Sequence, residues 1–134
     1  MSRRLSRESA MQVMYQVDVG KMDVDEALQN IQEQFKLTGP DLDFTSQLVY
    51  GTLDKLAELD QIISEHSREW LVERMAAVDR NILRLALFEM LYIQEIPTNV
   101  SINEALEMAK RFGGADSAKF INGILGAVAR QTKV

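Results

Sequence analysis

A chain of 134 residues, 46% hydrophobic and 26% charged, has the size of one domain and is too apolar to be disordered. The absence of cysteine excludes disulfides and thiolate chemistry and favours the cytoplasm. Its formal charge of -5 hides two basic ends, since residues 1–7 carry +3, residues 110–134 carry +4 and residues 8–109 carry -12.

Local field, not total charge, decides whether a polyanion can dock on such a chain. No apolar run reaches the roughly 20 residues that cross a bilayer. Glu8, Gln12, Gln16 and Asp18 interrupt the segment where a signal peptide would lie. A cytoplasmic protein without a membrane role is the expectation.

The hydrophobic period is helical nearly everywhere and no segment alternates as a strand does, so the fold is predicted to be all-α. The first helix is placed over about 5–19, with Ala10, Val13, Met14 and Val17 inward and Gly20 as its stop. Arg3, Arg4 and Arg7 sit at its start, and the i,i+3 and i,i+4 relations put their guanidinium groups on one flank. Positive charge at a helix N-terminus opposes the macrodipole, so helix stability does not favour the arrangement. Two readings stay open from charge alone: a solvated, disordered terminus, or a patch whose guanidinium forks match phosphate oxygens.

Asp23 reads as the N-cap of a second helix that turns Val24, Ala27, Leu28, Ile31 and Phe35 inward, and residues 38–40 form a turn. One long helix is predicted over 41–66, carrying Phe44, Leu48, Leu56, Leu59 and Ile63 on one side, with Gly51 marking a bend or close packing. A short helical segment is placed over 69–75. Residues 78–93, VDRNILRLALFEMLYI, leave little room for a polar face and are predicted to form the central helix, with Pro97 ending the segment after it.

Ser101 and Glu104 read as the capping box of the next helix, followed inward by Ile102, Ala105, Leu106 and Ala109. Lys110 and Arg111 fall in its last turn and Gly113 closes it. Asp116 reads as the N-cap of the last helix, which buries Phe120, Ile121, Ile124, Leu125 and Val128. Gly123 and Gly126 are expected where another backbone packs closely. The expected architecture is one domain over 1–134, a compact bundle of about seven helices. It comprises two small helical subdomains, helices 1–3 in about 1–66 and the later helices in about 69–134, around the central apolar helix.

No catalytic constellation accompanies these helices. His66 has no cysteine partner and no histidine four residues on, which reads as a surface or helix-end residue, and no metal site is expected. FGGAD is a connecting turn, not a phosphate-cradling loop; the scattered acids form no carboxylate pair; the seven methionines read as core filler. Neither an enzyme nor a cofactor is expected.

Three segments, SRRLSRESAMQVMYQ, VDRNILRLALFEMLYIQEIPTNVSINEALEMAKRFGG and DSAKFINGILGAVAR, together resemble the NusB family, in order and over the whole chain. The resemblance implies an all-helical, non-enzymatic RNA-binding protein that pairs with the ribosomal protein NusE. Together the two would bind single-stranded boxA RNA and help RNA polymerase resist termination during ribosomal RNA synthesis. It further implies RNA contacts by Arg3, Arg4, Arg7 and Tyr15, and by Gly113, Asp116, Ser117, Lys119 and Phe120 around the start of the last helix. Asp79 would make a NusE contact. Some relatives carry a denser arginine cluster, which implies lower intrinsic RNA affinity here and more reliance on NusE.

The two basic ends would form one surface if the first and last helices packed together. Two other classes stand beside this reading. One is a protein-interaction or dimerisation module without RNA contact, since some relatives self-associate. The other is the accessory domain of an RNA methyltransferase, against which the lack of a cofactor-binding segment argues.

Overall fold

The computed structural model describes residues 3–67 and 70–132. Among them the chain forms α1 (Arg4–Asp18), α2 (Val24–Phe35), α3 (Gly39–Asp54), α4 (Leu56–His66), α5 (Ala77–Tyr92), α6 (Thr98–Phe112) and α7 (Ser117–Thr132), with a 3-10 turn at Val72–Arg74 and no strand. None of these helices is long and apolar enough to cross a membrane. The segment expected over 69–75 is thus reduced to the 3-10 turn, and its first residue, like Lys133 of the basic C-terminal block, lies outside the described residues.

The most apolar helix takes the centre because it needs partners around most of its circumference. Ile82, Leu83, Leu85, Ala86, Leu87 and Phe88 of α5 are all buried, and α5 packs against α1, α3, α4, α6 and α7. On one side α1 packs on α2 and α3; on the other α7 packs on α6 and α4. One connected core runs from Ala10 and Met14 of α1 through α5 to Leu125 and Val128 of α7.

The helix starts follow local chemistry in some places and tertiary demand in others. Asp23 caps α2 as its sequence position suggests, accepting from the backbone N–H of Asp25 (3.1 Å) and Glu26 (3.3 Å). The expected long helix is two helices, interrupted at Lys55 (φ -104°, ψ 16°). The Lys55 N–H still donates to the Gly51 carbonyl (3.1 Å) and the Lys55 carbonyl accepts from Leu59 (2.9 Å), so the ladder is nearly continuous. That continuity explains why the apolar pattern carries through the break.

Gly51 itself marks close packing. A Cβ there would lie 2.1 Å from Cζ of Phe88 on the central helix. Gly123 and Gly126 do not show the backbone approach expected of them: a Cβ on Gly123 would meet nothing within 4 Å, and one on Gly126 only the flexible Arg130 side chain at 3.4 Å.

The capping box is a correction. Helix α6 starts at Thr98, one residue after Pro97, whose fixed φ and missing N–H suit a helix boundary. Ser101 therefore lies inside the helix, fully buried, and its hydroxyl donates to Glu89 at 3.0 Å. Glu104 receives Arg4 instead of a backbone N–H. Tertiary partners claimed both side chains that a local reading assigned to the cap.

Candidate nucleic-acid interface

Helix α1 brings its three N-terminal arginines together, as their spacing suggests, but gives them different tasks. Arg7 is only 5% exposed and holds the buried Glu89 through two hydrogen bonds of 2.9 Å. A bidentate fork onto a carboxylate in a dry interior is a structural tie. Arg3 lies outside, its guanidinium carbon 4.2 Å from the centre of the Phe44 ring, with Arg7 over the same ring at 5.5 Å. Arg4 reaches across to α6 and grips Glu104 with Nε (3.1 Å) and Nη2 (2.8 Å) while half its side chain stays in solvent. Arg7 Nη1 stands 3.7 Å from Oε1 of Glu104, the oxygen that also accepts from Arg4 Nε.

From this cluster a seam runs along α1 and α6. Its middle is a second ion pair, Arg111 Nη1 with both carboxylate oxygens of Glu8, each at 3.1 Å. At its far end Tyr15, 40% exposed, borders a cleft with Met11, Gln12, Gln16, Val78 and Phe112.

Beyond Val78 and Phe112 the surface continues into a cleft of about 500 Å³ between the start of α5 and the loop before α7, lined among others by Trp70, Asp79, Gly114, Asp116, Ser117 and Phe120. An adjoining cleft of about 490 Å³ shares Trp70, Asp116 and Phe120 and adds His66 and Lys119.

The loop that carries Gly113 and Asp116 is built tightly. A Cβ on Gly113 would meet Oγ of Ser117 at 2.5 Å and the Ala109 carbonyl at 2.8 Å. Ser117 is buried, and its hydroxyl accepts the Gly114 N–H at 2.9 Å. Asp116 stays exposed directly before α7, and its backbone carbonyl accepts from Phe120 at 3.0 Å. Asp79 lies in the first turn of α5, and its Oδ1 is buried without a hydrogen-bond partner among the described residues.

The expectation that α1 and α7 pack together is not met. The principal partners of α1 are α2, α3 and α5, and those of α7 are α6, α5 and α4. Side chains of α6 connect the two ends instead, through Arg4–Glu104 and Arg111–Glu8. His66 ends α4, with ring nitrogens 2.8 Å from the Ile62 carbonyl and 2.9 Å from Oε1 of Gln131 on α7, which is the helix-end role expected of it.

The far end of α1 is anchored by charge. Asp18 receives Arg80 Nε (2.6 Å) and Nη2 (2.9 Å), Asn81 Nδ2 (2.9 Å) and Arg84 Nη1 (3.2 Å). Burial pushes the Asp18 carboxyl upward, but the hydrogen bonds from Arg80 and Asn81 and the two positive charges outweigh it and hold the group below its usual range. Arg84 also forks onto Asp60 of α4 with two bonds of 2.8 Å. For Glu104, the hydrogen bond from Arg4 is the main cause of a lowered pKa, opposed by burial and reinforced by the charges of Arg4 and Arg7.

Sequence reasoning missed Trp70, which is 53% exposed beside the equally exposed Leu71 and walls two clefts. A lone tryptophan next to a leucine in a polar stretch was the available signal. It also missed Glu8, Glu104 and Arg111, whose pairing across α1 and α6 has no local pattern to reveal it.

A rigid helical scaffold that lines up cations, aromatic rings and open clefts along one seam has the build of a macromolecule-binding domain. The NusB family model matches residues 4–130, and the chain belongs to that family. It is 53% identical to the transcription antitermination protein NusB of Desulforamulus reducens over 94% of this chain and 88% of the relative. Against the protein of the same name from Bacillus subtilis the identity is 47%, over 96% and 95%. Among solved structures, NusB of T. maritima superposes with a TM-score of 0.91 at 32% identity, covering 98% of this chain and 92% of that one. NusB from a complex of antitermination factors NusB and NusE with double-stranded RNA shares the fold, with a TM-score of 0.88 at 24% identity over 96% of each chain.

Proposed function

We propose that this chain is a cytoplasmic transcription antitermination factor that binds single-stranded boxA-type RNA jointly with NusE, within an RNA polymerase complex that transcribes ribosomal RNA. The observation that carries the reading is the seam itself: Arg3 and Arg4 at one end, Tyr15 beyond the Arg111–Glu8 pair, and Trp70, Asp116, Lys119 and Phe120 around adjoining clefts. Cations contact phosphates and exposed rings stack on bases, which is the combination that single-stranded RNA recognition uses. In this reading Arg7 holds the cluster in place, Gly113 and Ser117 shape the loop that presents Asp116, and Asp79, on the wall of the first cleft, makes a charged contact with NusE. That a NusB of the same fold was crystallised with NusE and double-stranded RNA supports NusE and RNA as partners.

Fluorescence anisotropy of a boxA-type single strand, titrated at several salt concentrations with and without NusE, tests the reading. Affinity is expected to fall as salt rises, with a log–log slope of about 0.7 per phosphate contact, and to strengthen with NusE. A duplex of the same sequence serves as the competing ligand. Absent or salt-independent binding with NusE present overturns the proposal.

A second reading, a self-association or protein-interaction module without RNA contact, draws on the exposed Trp70–Leu71 pair. Concentration-dependent sedimentation that Trp70→Ala abolishes, with no RNA binding by either protein, would select it.

A further inference from the structure

We infer that Glu104 is a competitor carboxylate, an internal stand-in for an RNA phosphate that Arg4 must leave before it can grip the backbone of a bound strand. The inference rests on the RNA-binding reading above and adds a regulatory contact to that surface.

The geometry is specific. Arg4 spends its Nε and Nη2 edge, one of the two sides of a guanidinium that can pair bidentately with phosphate, on the two oxygens of Glu104 at 3.1 and 2.8 Å. The pair lies at the surface, with the arginine side chain 51% exposed and the carboxylate beneath it 17% exposed. A strand arriving along the seam therefore meets the outer face of a cation that already holds an anion along one of its two bidentate edges.

What makes exchange feasible is Arg7. It sits 3.7 Å from Glu104 Oε1 and cannot follow Arg4 outward, because Glu89 holds it in the interior with two bonds and Ser101 holds Glu89. When Arg4 swings to a phosphate, Glu104 keeps one fixed positive neighbour, which it shares with Glu89, so its charge stays partly compensated. Glu104 thus stands between a buried arginine and a half-exposed one. With Arg4 in place, its hydrogen bond is the chief cause that holds the Glu104 carboxyl below its usual range, and the charge of Arg7 adds to it. The Arg111–Glu8 pair repeats the motif of an exposed guanidinium over a shielded carboxylate further along the seam, without a second arginine behind it.

The consequence is counter to ordinary intuition about a salt bridge: removing the acid strengthens the partner's hold on RNA. Glu104→Gln is expected to bind a boxA-type single-stranded oligonucleotide with NusE about two- to five-fold tighter than the parent at low salt, the scale of one exposed ion pair, with the gain shrinking as salt rises. Arg4→Ala should weaken the parent, and placed in the Glu104→Gln background it should erase the gain. Circular dichroism melts of each variant establish that the folded fraction is unchanged at the assay temperature, and Glu104→Asp, which keeps the charge, should not tighten binding.

Equal or weaker binding by Glu104→Gln, in a parent that binds RNA and is weakened by Arg4→Ala, overturns the inference and leaves the RNA reading standing. A parent that binds no RNA even with NusE overturns both.

Discussion

Asp18, the last residue of α1, and Arg80, in the first turns of α5, are joined by two hydrogen bonds of 2.6 and 2.9 Å, 62 residues apart in sequence. Arg80 also donates to the carbonyls of Glu73 and Met75, each at 3.2 Å, so one guanidinium fastens α1, the 3-10 turn and α5 together. The carboxylate and its cations are mostly shielded, so removal of one partner strands a poorly solvated charge and costs more than breaking an exposed pair.

Acid should therefore destabilise the fold through Asp18 and Glu104. Both carboxyls have folded pKa values below their unfolded ones, so the folded state binds fewer protons. Their stabilisation is fully present above the unfolded values of about 4 and is lost as pH falls through the depressed folded values. Thermal melts between pH 7 and pH 2.5 are expected to show a falling midpoint below about pH 4, with a shallower fall in Asp18→Asn. An equally steep fall in that variant would locate the acid sensitivity elsewhere.

Arg7 separates fold from function. Arg7→Ala leaves Glu89 buried without its counter-ion and should destabilise by about 3–5 kcal/mol, read by urea unfolding. Replacing both partners, Arg7→Met with Glu89→Leu, should recover much of that loss. RNA affinity of the stable double variant then reports whether Arg7 contributes anything beyond holding the cluster.

Gly51 admits no side chain while Phe88 stands against it. Gly51→Ala is expected to destabilise by about 1–3 kcal/mol through overpacking, despite alanine's better helix propensity. Phe88→Leu in the same chain should relieve the clash and leave the combined loss smaller than the sum of the single losses.

On the proposed RNA face, Lys119→Ala should lower affinity and reduce the salt slope by about 0.7 if it makes one phosphate contact. Phe120→Ala should instead weaken binding by about 1–3 kcal/mol with the salt slope unchanged, as a stacking contact would. Slopes measured on the two variants side by side distinguish an ionic role from a stacking role.

Much of the fold was legible because burial is written periodically. The inward faces of α1, α2 and α5 follow from their spacing, and Asp23 and Gly51 announced their roles through residue type alone. The break at Lys55 was hidden because the apolar phase and the hydrogen-bond ladder run nearly through it. Ser101 and Glu104 misled for the opposite reason: a complete local motif sat where distant partners, Glu89 and Arg4, offered better bonds. The site divides in the same way. The arginine cluster was visible as charge, the residues around Asp116 became candidates only through the family resemblance, and Trp70 and the pairing of Glu8 with Arg111 depend on which helices lie side by side.

The tie between Arg7 and Glu89 has a further consequence in time. The two side chains are separated by 82 residues, so Arg7 emerges from the ribosome long before the carboxylate it needs has been made. Ser101, which steadies that carboxylate, is synthesised later still. The arginine surface proposed to meet a nascent transcript is therefore assembled only after α5 and Ser101 have been made, and a truncated chain ending before α5 would carry the same three arginines without the surface.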